Sequence, residues 1–297
     1  MVNCDDITVW RVNILPDSAP GVDAFDYCKR NKIIGIGWPL PPNQKANDFN
    51  DYAKKRRAAY GDDGSFTRAI NAIGRMKPND LVWTRQDGIY YLCRITSSWR
   101  YIDSPESRDA DIANVVDVDD FIKVGVLDKV PGKVKKSMDI SATAQRINGI
   151  ASITANIYNM LTKSNFYSVI NKFNVDVFDI LSAEATEEIV CLYLQIEKGY
   201  VVYTSTCKKS TAKYECVMVN KDNGSKCYPQ VKTGSISLNR DDYSSFASNN
   251  DKVYLFATSE NYKGTANNNI ICLSRAEILD FISRYRKIMP VEVTKIP

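Results

Sequence analysis

Tyr214-Glu215-Cys216-Val217-Met218-Val219, then Lys221-Asp222-Asn223-Gly224, then Cys227-Tyr228-Pro229-Gln230-Val231-Lys232, is the stretch that decides how the C-terminal half folds. Both arms are rich in β-branched and aromatic residues, and the four residues between them are turn formers. The pattern predicts a strand, a turn and a second strand. Upstream, Glu184 to Gln195 carries Ile189, Val190, Leu192 and Tyr193 at helical spacing and ends at Gly199. Tyr200-Val201-Val202-Tyr203 follows as a strand. Downstream, Val253-Tyr254-Leu255-Phe256-Ala257 is an apolar strand, and Arg275 to Arg286 is a helix opened by Ser274 as N-cap. Helix, three strands, strand and helix predict an α/β domain with a central mixed sheet.

The chain has no histidine among its 297 residues. That excludes Ser-His-Asp and Cys-His catalysis and every zinc site needing imidazole. Any general base must be a carboxylate, a lysine, a tyrosine or metal-bound water. Gln230 and Lys232 lie two apart on one strand and so share a face. Glu215 lies on the neighbouring arm. Glu215, the Gln230 amide oxygen and the Val231 carbonyl would supply the oxygen ligands that Mg²⁺ or Mn²⁺ prefers. Lys232 would orient water beside them.

The helix Glu187-Glu188-Ile189-Val190-Cys191-Leu192-Tyr193-Leu194, then Tyr214-Glu215, then Gln230-Val231-Lys232-Thr233-Gly234, resembles the PD-(D/E)XK, or restriction-endonuclease-like, nuclease superfamily over roughly 180–285. The resemblance implies a metal-dependent endonuclease. By matching position Glu187 is the helical acid, with Glu188 its neighbour and alternative. Glu215 is the central metal ligand, and Gln230 and Lys232 form the triplet. Glu215 stands where aspartate is usual and Gln230 where an acid is usual, although Q-x-K variants occur in the family. Lys208 and Lys209, ahead of the Glu215 strand, are candidates for phosphate contact.

All four tryptophans lie in the first hundred residues. This first part reads as α+β. Strands are expected at Ile7 to Val12, Ile33 to Trp38, Asp80 to Arg85, Ile89 to Ile95, Val115 to Val118 and Phe121 to Val126. Helices are expected at Ala46 to Tyr60 and Ser65 to Met76, with a hairpin turn at Gln86-Asp87-Gly88. So many short strands favour a small β-barrel with peripheral helices. Gly35-Ile36-Gly37-Trp38, Asp80-Leu81-Val82-Trp83 and Tyr90-Tyr91-Leu92-Cys93-Arg94-Ile95 resemble the EVE/PUA-like group of small barrels. That resemblance implies an aromatic cage for RNA or modified DNA bases. Trp38 and Trp83 are its best candidates here, followed by Trp99 and Tyr101. Lys54-Lys55-Arg56-Arg57 would hold backbone phosphates.

The resulting layout is a reader domain over 1–137, a helical linker over 138–180 and a nuclease domain over 181–297. Just ahead of that linker Val130 to Lys136 reads as a boundary loop, and within it Ala142 to Thr162 and Asn165 to Phe173 read as helices. The arrangement is similar to modification-dependent restriction enzymes acting on DNA, and a homodimer would supply the two sites needed to cut both strands. The open alternatives are a non-catalytic nucleic-acid-binding protein that keeps the nuclease fold, and an RNA-directed nuclease. A net charge of +4 permits a phosphate-bearing partner without requiring one. Eight cysteines without a C-x-x-C pair read as reduced thiols. No stretch approaches the roughly 20 apolar residues of a membrane span. The polar start, Met1 to Asp6, carries no signal segment, so the expected location is cytoplasmic with no membrane partner.

Overall fold

A computed structural model describes residues 1–61, 64–169, 176–207, 213–248 and 250–294. The chain divides into two compact units, Met1–Asn171 and Lys172–Ile296. Both are mixed α/β, built on mixed sheets.

In the first unit the strands are β1 (Val9–Val12), β2 (Ile33–Ile36), β3 (Leu81–Gln86), β4 (Ile89–Arg94), β5 (Arg100–Tyr101), β6 (Asn114–Asp117), β7 (Ile122–Gly125) and β8 (Ala144–Ile147). They form two open sheets, β7-β4-β3-β1-β8 and β2-β6-β5. The closed barrel expected from the many short strands is absent from the described residues. Within these two sheets β1 and β3 pair in parallel and the other neighbours antiparallel. The hairpin β3–β4 turns on Asp87 and Gly88, at φ 51° and 74°. Both central residues are left-handed, as a two-residue turn that matches strand twist requires, and Asp-Gly is the pair that supplies this. Leu81, Val82, Trp83 and Thr84 are all buried, because β3 lies mid-sheet and is covered on both faces.

Helices α1 (Ala24–Arg30), α2 (Phe49–Tyr60) and α3 (Gly64–Gly74) belong to this unit. Asp48 caps α2 by accepting from the Asp51 N–H. The stretch around Val130 to Lys136, expected as a boundary loop, forms instead helix α4 (Gly132–Met138). Pro131 precedes the first turn, where its fixed φ favours helix entry, and Val134 and Met138 bury one face. Two linker helices are corrected as well. The start of Ala142 to Thr162 is the edge strand β8, paired antiparallel with β1, and only α5 (Ala151–Thr162) is helical. Tyr167–Ser168 pairs with Val2–Asn3. The expected linker over 138–180 therefore contributes a strand to the main sheet, and its residues up to 171 belong to the first unit.

The second unit carries one five-stranded sheet in chain order, β9 (Tyr200–Tyr203), β10 (Val217–Asn220), β11 (Lys226–Lys232), β12 (Lys252–Ala257) and β13 (Ile270–Cys272). The first three strands are antiparallel and the last three parallel. Helices α6 (Ala183–Lys198) and α7 (Arg275–Arg284) share a core with one face of this sheet. Ser182 caps α6, and Ser274 forms a capping box with Glu277 at the start of α7. Ile189, Val190 and Leu194 of α6 and Ile278 and Phe281 of α7 bury against Cys227, Val231, Tyr254 and Phe256. The opposite face packs Val253, Leu255 and Ala257 against Leu238 and Tyr243. No helix among the described residues is long and apolar enough to cross a membrane.

Candidate functional site

The site is set by how β10 and β11 pair. Their ladder covers only Met218↔Cys227 and Val219↔Lys226. Glu215 therefore precedes the strand rather than opening it. Its backbone N–H still donates to Pro229 O at 2.8 Å, which keeps it beside β11. On its other edge β11 runs in full parallel register with β12, from Cys227↔Lys252 to Lys232↔Ala257. Gln230 and Lys232 consequently stand on the face of Leu255 and Ala257, while Val231 points into the α6–α7 core.

The Val231 N–H and carbonyl open toward Glu215. Gln230 Nε2 donates to Glu215 Oε1 at 2.6 Å and to Val231 O at 3.2 Å. The Val231 N–H also reaches Glu215 Oε1, at 3.4 Å. Gln230 is only 5% exposed, so this amide needs protein partners and finds them. Two oxygens thus converge on one nitrogen. Turning the amide over exchanges Nε2 for Oε1 and makes three oxygens converge on that point. Such a hard-oxygen set fits Mg²⁺ or Mn²⁺, with water and phosphate completing the shell. It contains a single carboxylate, and no group of three or more His, Cys, Asp or Glu among the described residues is placed to hold a metal. The residues present fit a weakly held cation.

Lys232 makes no ion pair or side-chain hydrogen bond with a described residue, so its ammonium is uncommitted on the same face. Glu187 is half-buried and Glu188 exposed on α6, which covers the opposite face of the sheet. The structure brings Glu215, Gln230, Val231 and Lys232 to one strand edge; Glu187 stands one turn before Cys191, whose Sγ lies 4.0 Å from that of Cys216, the residue after Glu215. Sequence reading singled out nothing at Tyr243, whose hydroxyl is pushed above its ordinary pKa by burial and by the charges of Asp242 and Glu215. Its segment, Arg240–Phe246, has no periodicity that a sequence pattern would flag.

No family model, curated protein or solved structure matches this chain.

In the first unit, three of the four aromatic candidates gather. Trp38, Trp99 and Tyr101 are half-buried against one core. Tyr52 stacks obliquely on Trp99 and on Tyr101, at 5.5 and 5.6 Å between centroids. The buried Asn114 donates to Gly37 O and Tyr52 Oη, both at 2.8 Å, and accepts from Trp99 Nε1 at 3.1 Å. Tyr52 Oη in turn donates to Trp38 O at 2.9 Å. Tyr101 Oη accepts from the Leu40 N–H. Trp38 adopts φ 64°, a left-handed backbone unusual for a bulky residue. The Asp111 carboxylate steadies it by accepting from the backbone N–H groups of Asp17 and Trp38. A Cβ at Gly37 would stand 2.5 Å from Asp111 Oδ2, so any larger residue must displace that carboxylate. Tyr52, Asn114 and Asp111 gave no separate signal in sequence, since each lies in an ordinary helix, strand or loop.

Trp83 is corrected. It is fully buried, and its indole N–H donates to Thr154 Oγ1 at 3.4 Å, so no ring face is open to a base. The basic run Lys54 to Arg57 does not present one phosphate-binding face either. Arg56 is buried and donates to Thr67 Oγ1, and Lys55 pairs with Asp51 at 2.7 Å. A helix distributes four consecutive residues around its axis, so only Lys54 and Arg57 are exposed. Lys208 and Lys209 lie outside the described residues.

Proposed function

We propose that the protein is a Mg²⁺- or Mn²⁺-dependent endodeoxyribonuclease of PD-(D/E)XK type, directed to DNA carrying modified bases by an EVE/PUA-like first unit. The convergence of Glu215 Oε1 and Val231 O on the Gln230 amide, with an uncommitted Lys232 two residues along, carries this reading. Glu215, Gln230 and Val231 would hold a cation there, which would supply phosphate polarisation and a water of lowered pKa. Glu215 supplies the one negative charge of the site. Gln230 and Val231 add neutral oxygens and fix the position of that charge. Lys232 holds the attacking water by hydrogen bond and balances charge developing on phosphate. On the first unit, the half-exposed rings of Trp38, Trp99 and Tyr101 support base stacking.

The single carboxylate favours a second reading, a nucleic-acid-binding protein that keeps the nuclease fold without turnover. Incubating the full chain with plasmid DNA in Mg²⁺ or EDTA separates the two. Substrates are unmodified DNA, DNA carrying 5-methylcytosine or 5-hydroxymethylcytosine, and RNA. Metal-dependent cutting confined to modified DNA is expected. Binding to every substrate without cutting would leave the second reading, and cutting of RNA alone would make the enzyme RNA-directed.

A further inference from the structure

Arg68, Asn71 and Arg75 line one flank of α3 and the turn after it, opposite the buried Ile70, Ile73 and Met76. Lys77 follows in the same turn. Across from them the edge strand β8 presents Gln145 and Arg146, with Arg146 in register opposite Trp10. These residues, with Ser98, line a cleft of about 850 Å³ in the first unit. Four exposed cations thus meet from two parts of the chain some seventy residues apart. Arg75, Lys77 and Arg146 make no ion pair with a described residue.

Two carboxylates also line the cleft. Asp6 is exposed. Asp80 is committed: it accepts from the Thr8 N–H at 2.8 Å, Trp10 Nε1 at 2.8 Å and the Lys77 N–H at 3.1 Å.

We infer that this cleft is the nucleic-acid backbone site of the first unit, with Arg75, Lys77 and Arg146 contacting successive phosphates and Asn71 and Gln145 hydrogen-bonding between them. Cations on two facing elements suit a chain of phosphates better than one isolated anion, which would need a single tight cluster. The guanidiniums offer forked donors for phosphate oxygens. The assignment rests on the reading of the chain as a nucleic-acid protein and is independent of the Glu215–Gln230 site.

The test is the salt dependence of binding of a fluorescein-labelled DNA duplex to the full chain, followed by anisotropy in EDTA between about 50 and 200 mM salt. The triple variant Arg75→Ala, Lys77→Ala, Arg146→Ala is compared with Lys54→Ala, Arg57→Ala. The triple variant should lower the magnitude of the log-log slope by about 2 to 3, at roughly 0.9 per lost phosphate contact, and weaken binding at least about tenfold. The double variant on α2 should change the slope by less than about 1. A charge-keeping variant, Arg75→Lys with Arg146→Lys, should retain most of the slope, which guards against loss by misfolding. A slope unchanged in the triple variant would overturn the cleft assignment while leaving cleavage by the second unit to be judged separately. So would equal losses in the triple and double variants, or loss of phosphatidylserine-vesicle binding with DNA binding intact. No DNA binding by the unsubstituted chain would overturn both.

Discussion

The aromatic cluster around Tyr52 and the Glu215–Gln230 pair are both polar groups set against a core, but they are satisfied differently. In the first unit Asn114 binds Gly37 O, Tyr52 and Trp99 together, and Tyr52 closes onto Trp38 O. The network is closed, and its product is a strained Trp38 backbone held at φ 64°. In the second unit one amide answers two oxygens, and a lysine on the same face answers none. A closed network fixes shape. An open one leaves capacity for a ligand, at the cost of weaker local order.

That contrast can be broken in several ways, and the largest effect belongs to a residue in neither network. Trp83→Ala removes a fully buried indole and should lower unfolding stability by about 3–5 kcal/mol. Trp38→Ala should cost clearly less and instead weaken binding to modified DNA, read from chemical denaturation and from anisotropy. Equal stability losses would make Trp38 another core residue. Next comes Gly37→Ala, whose Cβ meets the Asp111 carboxylate; it should destabilise by more than about 1 kcal/mol and disturb Trp38, visible as a change in tryptophan fluorescence. An unshifted spectrum would show that Gly37 and Asp111 do not set the Trp38 backbone.

Gln230→Glu sharpens the comparison from the other side. It places a second carboxylate against Glu215, so the metal-free protein should lose stability near neutral pH. Mg²⁺ affinity measured by calorimetry should rise at least about tenfold, or ~1.4 kcal/mol. Unchanged Mg²⁺ affinity would mean that the amide does not face the cation position. The smallest effect is expected at Asp111, whose carboxyl burial raises above the ordinary value. A raised acid favours the folded state while protonated, and that contribution is lost as pH climbs through the raised value. Asp111→Asn keeps the acceptor and removes the ionisation. Its stability relative to the unsubstituted chain should therefore rise with pH from the ordinary carboxylate range upward, then level off. A pH-independent difference would remove Asp111 from the account.

Most of the second unit is legible in the sequence because each element there carries its own punctuation. Ser182 and Ser274 cap helices, Gly199 ends one, β11 is bounded by turn residues, and β12 is an apolar run. The Glu215–Gln230 contact follows from hairpin order alone. The side of the sheet that α6 covers does not, because sequence order does not say on which face a helix packs. In the first unit the hairpin at Asp87-Gly88 declares itself by turn chemistry. Pro131-Gly132 misleads, since the same pair that breaks one helix starts another. Strand β8 is short and polar, Ala-Gln-Arg-Ile, and is held as a strand by its partner β1 rather than by its own pattern. The cleft cations Arg68, Arg75, Lys77 and Arg146 are scattered in sequence, whereas the contiguous run Lys54 to Arg57 is dispersed by its helix.

The most direct measurement is plasmid cleavage in Mg²⁺ by the unsubstituted chain and by Lys232→Ala, with DNA binding by both followed in EDTA. Metal-dependent cutting is expected to fall by about 10²-fold or more in the variant while binding stays within about twofold. Undiminished cutting by Lys232→Ala would place the chemistry elsewhere in the molecule and contradict the site described.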